Sequence, residues 1–188
     1  YRDRGALLSF WAGKLGMTTE QVGGFMGDEP YPHDVIRAKL MKRGGVAYVS
    51  PGPDTFPPLD TVNDAIIACG AIPTYAFLDG LSDGEQHMAD LLELLISKGM
   101  ACLTFIPDRN WNYSDPEIRA AKVAELDKTM GLARDLDLPV IVGTEMNKPG
   151  QRQVDDFRAA PLRPFWEDFL RGADFIYGHT FMHRALGL

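Results

Sequence analysis

Four side chains able to do chemistry stand just beyond short apolar runs. Asp79 follows residues 72–78, Asp108 follows 101–106, Glu145 follows 139–142, and His179 follows 175–177. Apolar runs of that length, rich in Val and Ile and bounded by Gly and Pro, read as buried strands. In folds with parallel strands, reactive groups collect at the carboxyl ends of the sheet. A carboxylate two residues past such a strand can ligate a metal or serve as a general base. Imidazole is a common metal ligand. Asp79, Asp108, Glu145 and His179 therefore form a candidate set of oxygen and nitrogen ligands for Zn²⁺, Mn²⁺ or Mg²⁺. Arg109 is the candidate for a two-pronged contact with a substrate carboxylate or phosphate. Asn110, Trp111, Tyr113 and Asn147 are the candidates to shape the pocket.

Each assignment competes with an ordinary one. Asp79 precedes a glycine and reads equally well as a turn residue, and Asp108 as a helix cap. Glu145 could simply pair with an arginine, and Trp111 could be plain packing. His183 lies four residues beyond His179, which would put both rings on one face if the segment were helical. Gly178-His179-Thr180 reads instead as a strand end.

The elements that would position these groups are repeated βα units. Residues 46–49 supply a further apolar run, ending in Ser50-Pro51-Gly52. Helical patterns separate the runs: Val62, Ala65, Ile66 and Cys69 follow i, i+3, i+4, i+7, as do Met88, Leu91, Leu92 and Leu95. Ser82 and Glu85 have the spacing of a capping box. Asp115-Pro116 opens a long helix whose inner face carries Val123, Leu126, Met130 and Ala133. Gly172 reads as the stop of a helix carrying Phe165, Trp166, Phe169 and Leu170. Strands recurring at roughly thirty residues with helices between them require parallel crossovers of one hand. The expected fold is α/β with parallel strands, part of a (β/α)8 TIM-type barrel, the alternative being a small open α/β sheet. Residues 1–44 read as a helical lead-in and 45–188 as the βα units of one domain.

Composition narrows the function. The 188 residues carry a net charge of -7, with 45% hydrophobic and 24% charged residues. An acidic chain is a poor match for a nucleic-acid backbone or an anionic membrane. No apolar stretch is long enough to span a bilayer. Cys69 and Cys102 read as small buried hydrophobes of a reducing, cytoplasmic protein. The chain starts at Tyr1 with no signal-peptide pattern. Both ends read as cut, so further barrel segments or a partner copy are expected to cover the sheet edges. There is no G-x-G-x-x-G, Walker loop, G-x-S-x-G or H-E-x-x-H.

The stretches FIPDRNWN, VGTEMNKPGQ and FIYGHT resemble the later strands of the polymerase-and-histidinol-phosphatase (PHP) family of amidohydrolase-like barrels. That resemblance implies hydrolysis of a phosphoester or related bond by metal-bound hydroxide, with Glu145 and His179 as ligands. The H-x-H pair that opens the family's first strand has no counterpart in this sequence. The expected function is thus metal-dependent hydrolysis of a small anionic substrate. In that scheme Glu145, His179 and Asp79 hold the metal, Asp108, Arg109 and Glu145 are catalytic, and Arg109, Asn110, Trp111 and Asn147 bind substrate. Alternatives are a metal-dependent sugar or sugar-acid isomerase or aldolase, and a non-catalytic binding module built on a barrel.

Overall fold

Caps and apolar periodicity set the helices, and three short runs supply the strands between them. The computed structural model describes residues 3–27, 33–146 and 152–187. The chain divides into two compact units, Tyr1–Phe56 and Pro57–Leu188.

In the first unit, α1 (Arg4–Leu15) opens on Asp3, whose carboxylate accepts from the Ala6 N–H at 3.0 Å. It closes on Gly16, at a φ of 61° that suits glycine. Helix α2 (Thr19–Met26) begins with a reciprocal capping box between Thr18 and Gln21. Gly23 and Gly24 lie inside this helix and do not end it. Ala12, Leu15, Val22 and Met26 make a small buried core against which Trp11, Val35 and Ile36 pack. Helix α3 (His33–Ile36) passes into a π-helical turn, Arg37–Met41.

The expected strand at residues 46–49 does not form. Ala47 donates to the Leu40 carbonyl and Tyr48 to that of Gly45, so the segment folds back as turns. Val46 and Val49 are 88% and 84% exposed. A four-residue apolar run becomes a strand only where a neighbouring strand takes up its N–H and C=O groups, and among the described residues this run has none.

In the second unit, α4 (Leu59–Ala68) leads to β1 (Thr74–Ala76), then α5 (Met88–Ser97), β2 (Cys102–Phe105), the short α6 (Asp108–Trp111), α7 (Pro116–Asp135), β3 (Val140–Val142) and α8 (Trp166–Leu186). Asp115 caps α7 by accepting from the N–H groups of Glu117 and Ile118, with Pro116 in the first turn. The strands are parallel, in the order β1-β2-β3, with Thr74 opposite Cys102 and Leu103 opposite Val140. The described residues thus form an open three-stranded parallel sheet. That is the smaller of the two architectures expected from the sequence.

Leu92, Leu103, Phe105, Leu126, Met130, Val140, Phe165 and Phe169 fill one core. Each such side chain contributes about 1.5–3 kcal/mol when fully buried. Phe77 and Phe105, from adjoining strands, meet at a centroid distance of 4.9 Å.

Residues 175–177, expected as another strand, lie within α8. The error traces to Gly172. A Cβ there would stand 1.8 Å from the Val140 carbonyl oxygen, so glycine lets the helix backbone rest on β3. It marks a close crossing rather than a helix end.

Candidate functional site

The carboxyl ends of β1, β2 and β3 each deliver a carboxylate, and each carboxylate faces a cation. Asp79, after β1, meets Lys122 Nζ at 2.7 Å. Asp108, after β2, lies 3.6 Å from Arg152 Nε, and Glu145, after β3, lies 3.5 Å from Arg109 Nη1. The three pairs differ in kind. Lys122 is only 8% exposed along its side chain and its contact is short, so removing Asp79 would strand a desolvated charge. The two arginine pairs are longer than the ~2.7–2.9 Å of a good charge-assisted bond, and both guanidiniums reach solvent. Such pairs are worth roughly 0–1 kcal/mol. They can exchange partners at little cost.

Asp79 is held in its turn by more than lysine, since it also accepts from the Leu81 N–H at 3.0 Å. Burial pushes its carboxyl up, but the Lys122 hydrogen bond, the Leu81 N–H and the charges of Lys122 and Arg109 outweigh this and leave it below the usual range. The turn itself is built on Glu85, which is 1% exposed. Glu85 Oε1 accepts from the Tyr75 hydroxyl at 3.0 Å and the Leu78 N–H at 2.7 Å. Its Oε2 accepts from the N–H groups of Asp79 at 3.1 Å and Gly80 at 2.9 Å. This corrects the capping-box expectation: Ser82 Oγ accepts weakly from the Glu85 N–H at 3.4 Å, while the Glu85 carboxylate reaches back to the end of β1. Gly80 stands at φ 77°, and a Cβ there would meet the Glu125 side chain at 2.5 Å. Burial, and then the Glu85 charge, raise the Tyr75 hydroxyl above its ordinary value.

At the end of β2 the Asp108 N–H donates to Asp155 Oδ1 at 2.7 Å, which ties the segment after β3 to the start of α6. Asp155 is buried. Desolvation raises its carboxyl, the nearby Asp108 charge adds to the rise, and the Asp108 N–H and the Arg152 charge oppose it. Asp108 Oδ1 also accepts from Asn112 at 3.0 Å. Asn110 is fully buried, with its amide donating to the Ile106 carbonyl at 3.2 Å, while its buried Oδ1 meets no hydrogen-bond partner among the described residues. Trp111 underlies Arg152, whose guanidinium carbon sits 5.7 Å from the ring. Asn147 lies outside the described residues.

His179 belongs elsewhere. It lies inside α8, with its ring centroid 6.0 Å from that of His183. The two therefore share a helix face, the arrangement that a strand-end reading of Gly178-His179-Thr180 rules out. Gly172 of α8 rests on Val140, the first residue of β3, and His183 abuts Gly70, ahead of β1. The later half of α8 thus extends past the amino ends of the strands, away from Glu145 and Asp79. The expected ligands Glu145, His179 and Asp79 are not brought together. Among the described residues no three of His, Cys, Asp and Glu gather to hold a metal ion, and the three strand-end carboxylates are engaged by cations. As these side chains stand, they do not fit a divalent metal.

Lys122, Arg152 and Asp155 are the residues that sequence reasoning passed over. Lys122 carried a legible signal, because it falls on the stripe of Leu126, Met130 and Ala133, where an apolar residue would be routine. A charge on that stripe implies a partner of opposite charge. The other two carry no such mark.

The chain matches no family model, no curated protein and no solved structure. No helix among the described residues is long and apolar enough to cross a membrane.

Proposed function

We propose that the carboxyl edge of this sheet hydrolyses a phosphoester or related bond in a small anionic substrate. The observation that carries the reading is the contrast among the three ion pairs at adjoining strand ends: one short and made by a buried lysine, two longer and made by arginines open to solvent. In this reading Lys122–Asp79 is the fixed wall. Arg109 and Arg152 turn from Glu145 and Asp108 to the substrate's anionic oxygens, which their planar forks suit. Glu145 then takes a proton from water as the water attacks the central atom, and the ester oxygen leaves with the bonding pair. The arginines hold the charge that builds on the remaining oxygens. No step is routed through a metal. An eight-stranded barrel would require strands beyond these three, and the mechanism needs only the strand ends described. We place the activity in the cytoplasm, where the two free cysteines, Cys69 and Cys102, stay reduced.

The test is a screen of phosphomonoesters and carboxylic esters in isotope-labelled water, run with and without added Zn²⁺, Mn²⁺ or Mg²⁺. Label is expected in the acid product. Glu145→Gln should lower kcat by about 10²-fold or more, while Arg109→Gln should mainly raise KM. Turnover that interconverts aldose and ketose without uptake of label would favour the isomerase reading. Turnover indifferent to both substitutions would overturn the assignment.

A further inference from the structure

A groove of about 910 Å³ opens along the segment between Asp155 and Glu167. That size lies within the ~300–1,000 Å³ of small-molecule sites. The groove and the strand ends share a wall, because Asp155 lines the groove and also binds the Asp108 N–H. Its apolar surface comes from Phe157, Pro164 and Trp166. Trp166 is 44% exposed and meets Phe157 edge-on at 5.9 Å, so an indole is held by packing yet still presented to solvent.

Charge decides what part of a ligand such a groove can take. Its lining includes Arg158 and Arg163, but also Asp155, Asp156 and Glu167. Three carboxylates against two guanidiniums leave no surplus of positive charge for an anionic group. Arg158 and Arg163 enter no ion pair among the described residues. Arg163 donates to the Arg158 carbonyl at 3.2 Å, which leaves planar guanidinium faces suited to stacking beside a ring. The strand ends offer the complementary half: Arg109 and Arg152, both in loose pairs.

We infer that the groove takes the uncharged planar body of the same substrate whose anionic group is held by Arg109 and Arg152. The inference rests on the proposed strand-end site and adds the substrate class: a planar, aryl-type body joined to a single phosphate or carboxylate.

The experiment uses phosphonates, which have no ester bond to cleave, with the whole chain in calorimetric titrations. Methyl phosphonate probes the anionic end alone, naphthylmethyl phosphonate probes both ends, and naphthalenemethanol probes the body alone. The naphthyl compound is expected to bind at least tenfold tighter than methyl phosphonate, about 1.4 kcal/mol. Trp166→Ala should cut that ratio below threefold, while Trp166→Phe should retain most of it and so guard against a folding artefact. Arg109→Gln should weaken both phosphonates alike. An unchanged ratio in Trp166→Ala, or equal affinities in the parent chain, would overturn the inference. So would naphthalenemethanol binding that naphthylmethyl phosphonate does not displace. Failure of the strand-end reading looks different: methyl phosphonate affinity would then be untouched by Arg109→Gln.

Discussion

Truncating Glu85 tests the architecture of the strand ends most directly. Its carboxylate satisfies the N–H groups of Leu78, Asp79 and Gly80 and the Tyr75 hydroxyl. Glu85→Ala would orphan all four donors. Only the Gly80 bond is fully buried, so that N–H bears the whole desolvation cost, about 1–3 kcal/mol, while the other three, nearer to water, lose roughly 1 kcal/mol each. The expected total is about 4–6 kcal/mol, a large share of the ~5–15 kcal/mol typical of a domain. With a urea m-value of about 1.5 kcal/mol per molar, the midpoint should fall by roughly 3–4 M. Tyr75→Phe removes one donor and leaves the carboxylate three partners, so its cost should be about 1 kcal/mol. Both are read from urea unfolding followed by circular dichroism. A Glu85→Ala midpoint within about 0.5 M of the parent would mean that the turn does not depend on this carboxylate.

Four further substitutions probe charge and packing. Asp79 has a folded-state pKa below its unfolded value, so its contribution is present above about pH 4 and is lost as pH falls through the folded pKa; in Lys122→Met, unfolding free energy measured from pH 6 down to pH 2 should lose part of this slope. Asp155 has the opposite sign: its raised pKa favours folding below the unfolded value, and that advantage fades as pH rises through the folded one. Asp155→Asn keeps an oxygen for the Asp108 N–H and removes the charge, so its melting temperature at pH 7 should equal or exceed that of the parent, and a clear loss would contradict the argument. Gly172→Ala would press a methyl group onto the Val140 carbonyl and should cost ~3 kcal/mol, seen as a lower melting temperature, whereas Gly178→Ala, with open space around it, should be neutral or stabilising.

The second unit was readable wherever local chemistry and tertiary packing agree. The runs before Asp79, Asp108 and Glu145 are strands, and α5 and α7 keep the expected apolar faces, whereas α4 leaves Ala65 and Cys69 exposed and buries Asn63. The failures came where one residue type serves two purposes. Gly172 reads as punctuation in the sequence because the carbonyl it rests on belongs to residue 140, far away in the chain. Glu85 sat three residues after Ser82 and so mimicked a local cap, although its partners are strand-end amides. Residues 46–49 had strand composition with no strand to join. Among the candidate site residues, Asp79, Asp108 and Glu145 each stand just beyond a strand, and Arg109 pairs with Glu145. His179 was misplaced with the strand assigned before it. The partners Arg152 and Asp155 depend on three-dimensional return paths that spacing does not encode.

The order β1-β2-β3 repeats the order of the chain. Each pairing therefore joins neighbours in sequence, Thr74 with Cys102 and then Leu103 with Val140, and no strand has to be inserted between two already paired. Loop closure is then met in two moderate instalments. The sheet can assemble progressively, as each βα unit provides the template for the next. The register of α8 on β3 is read by a single missing methyl group at Gly172. Folding speed should follow the middle range of mixed α/β domains.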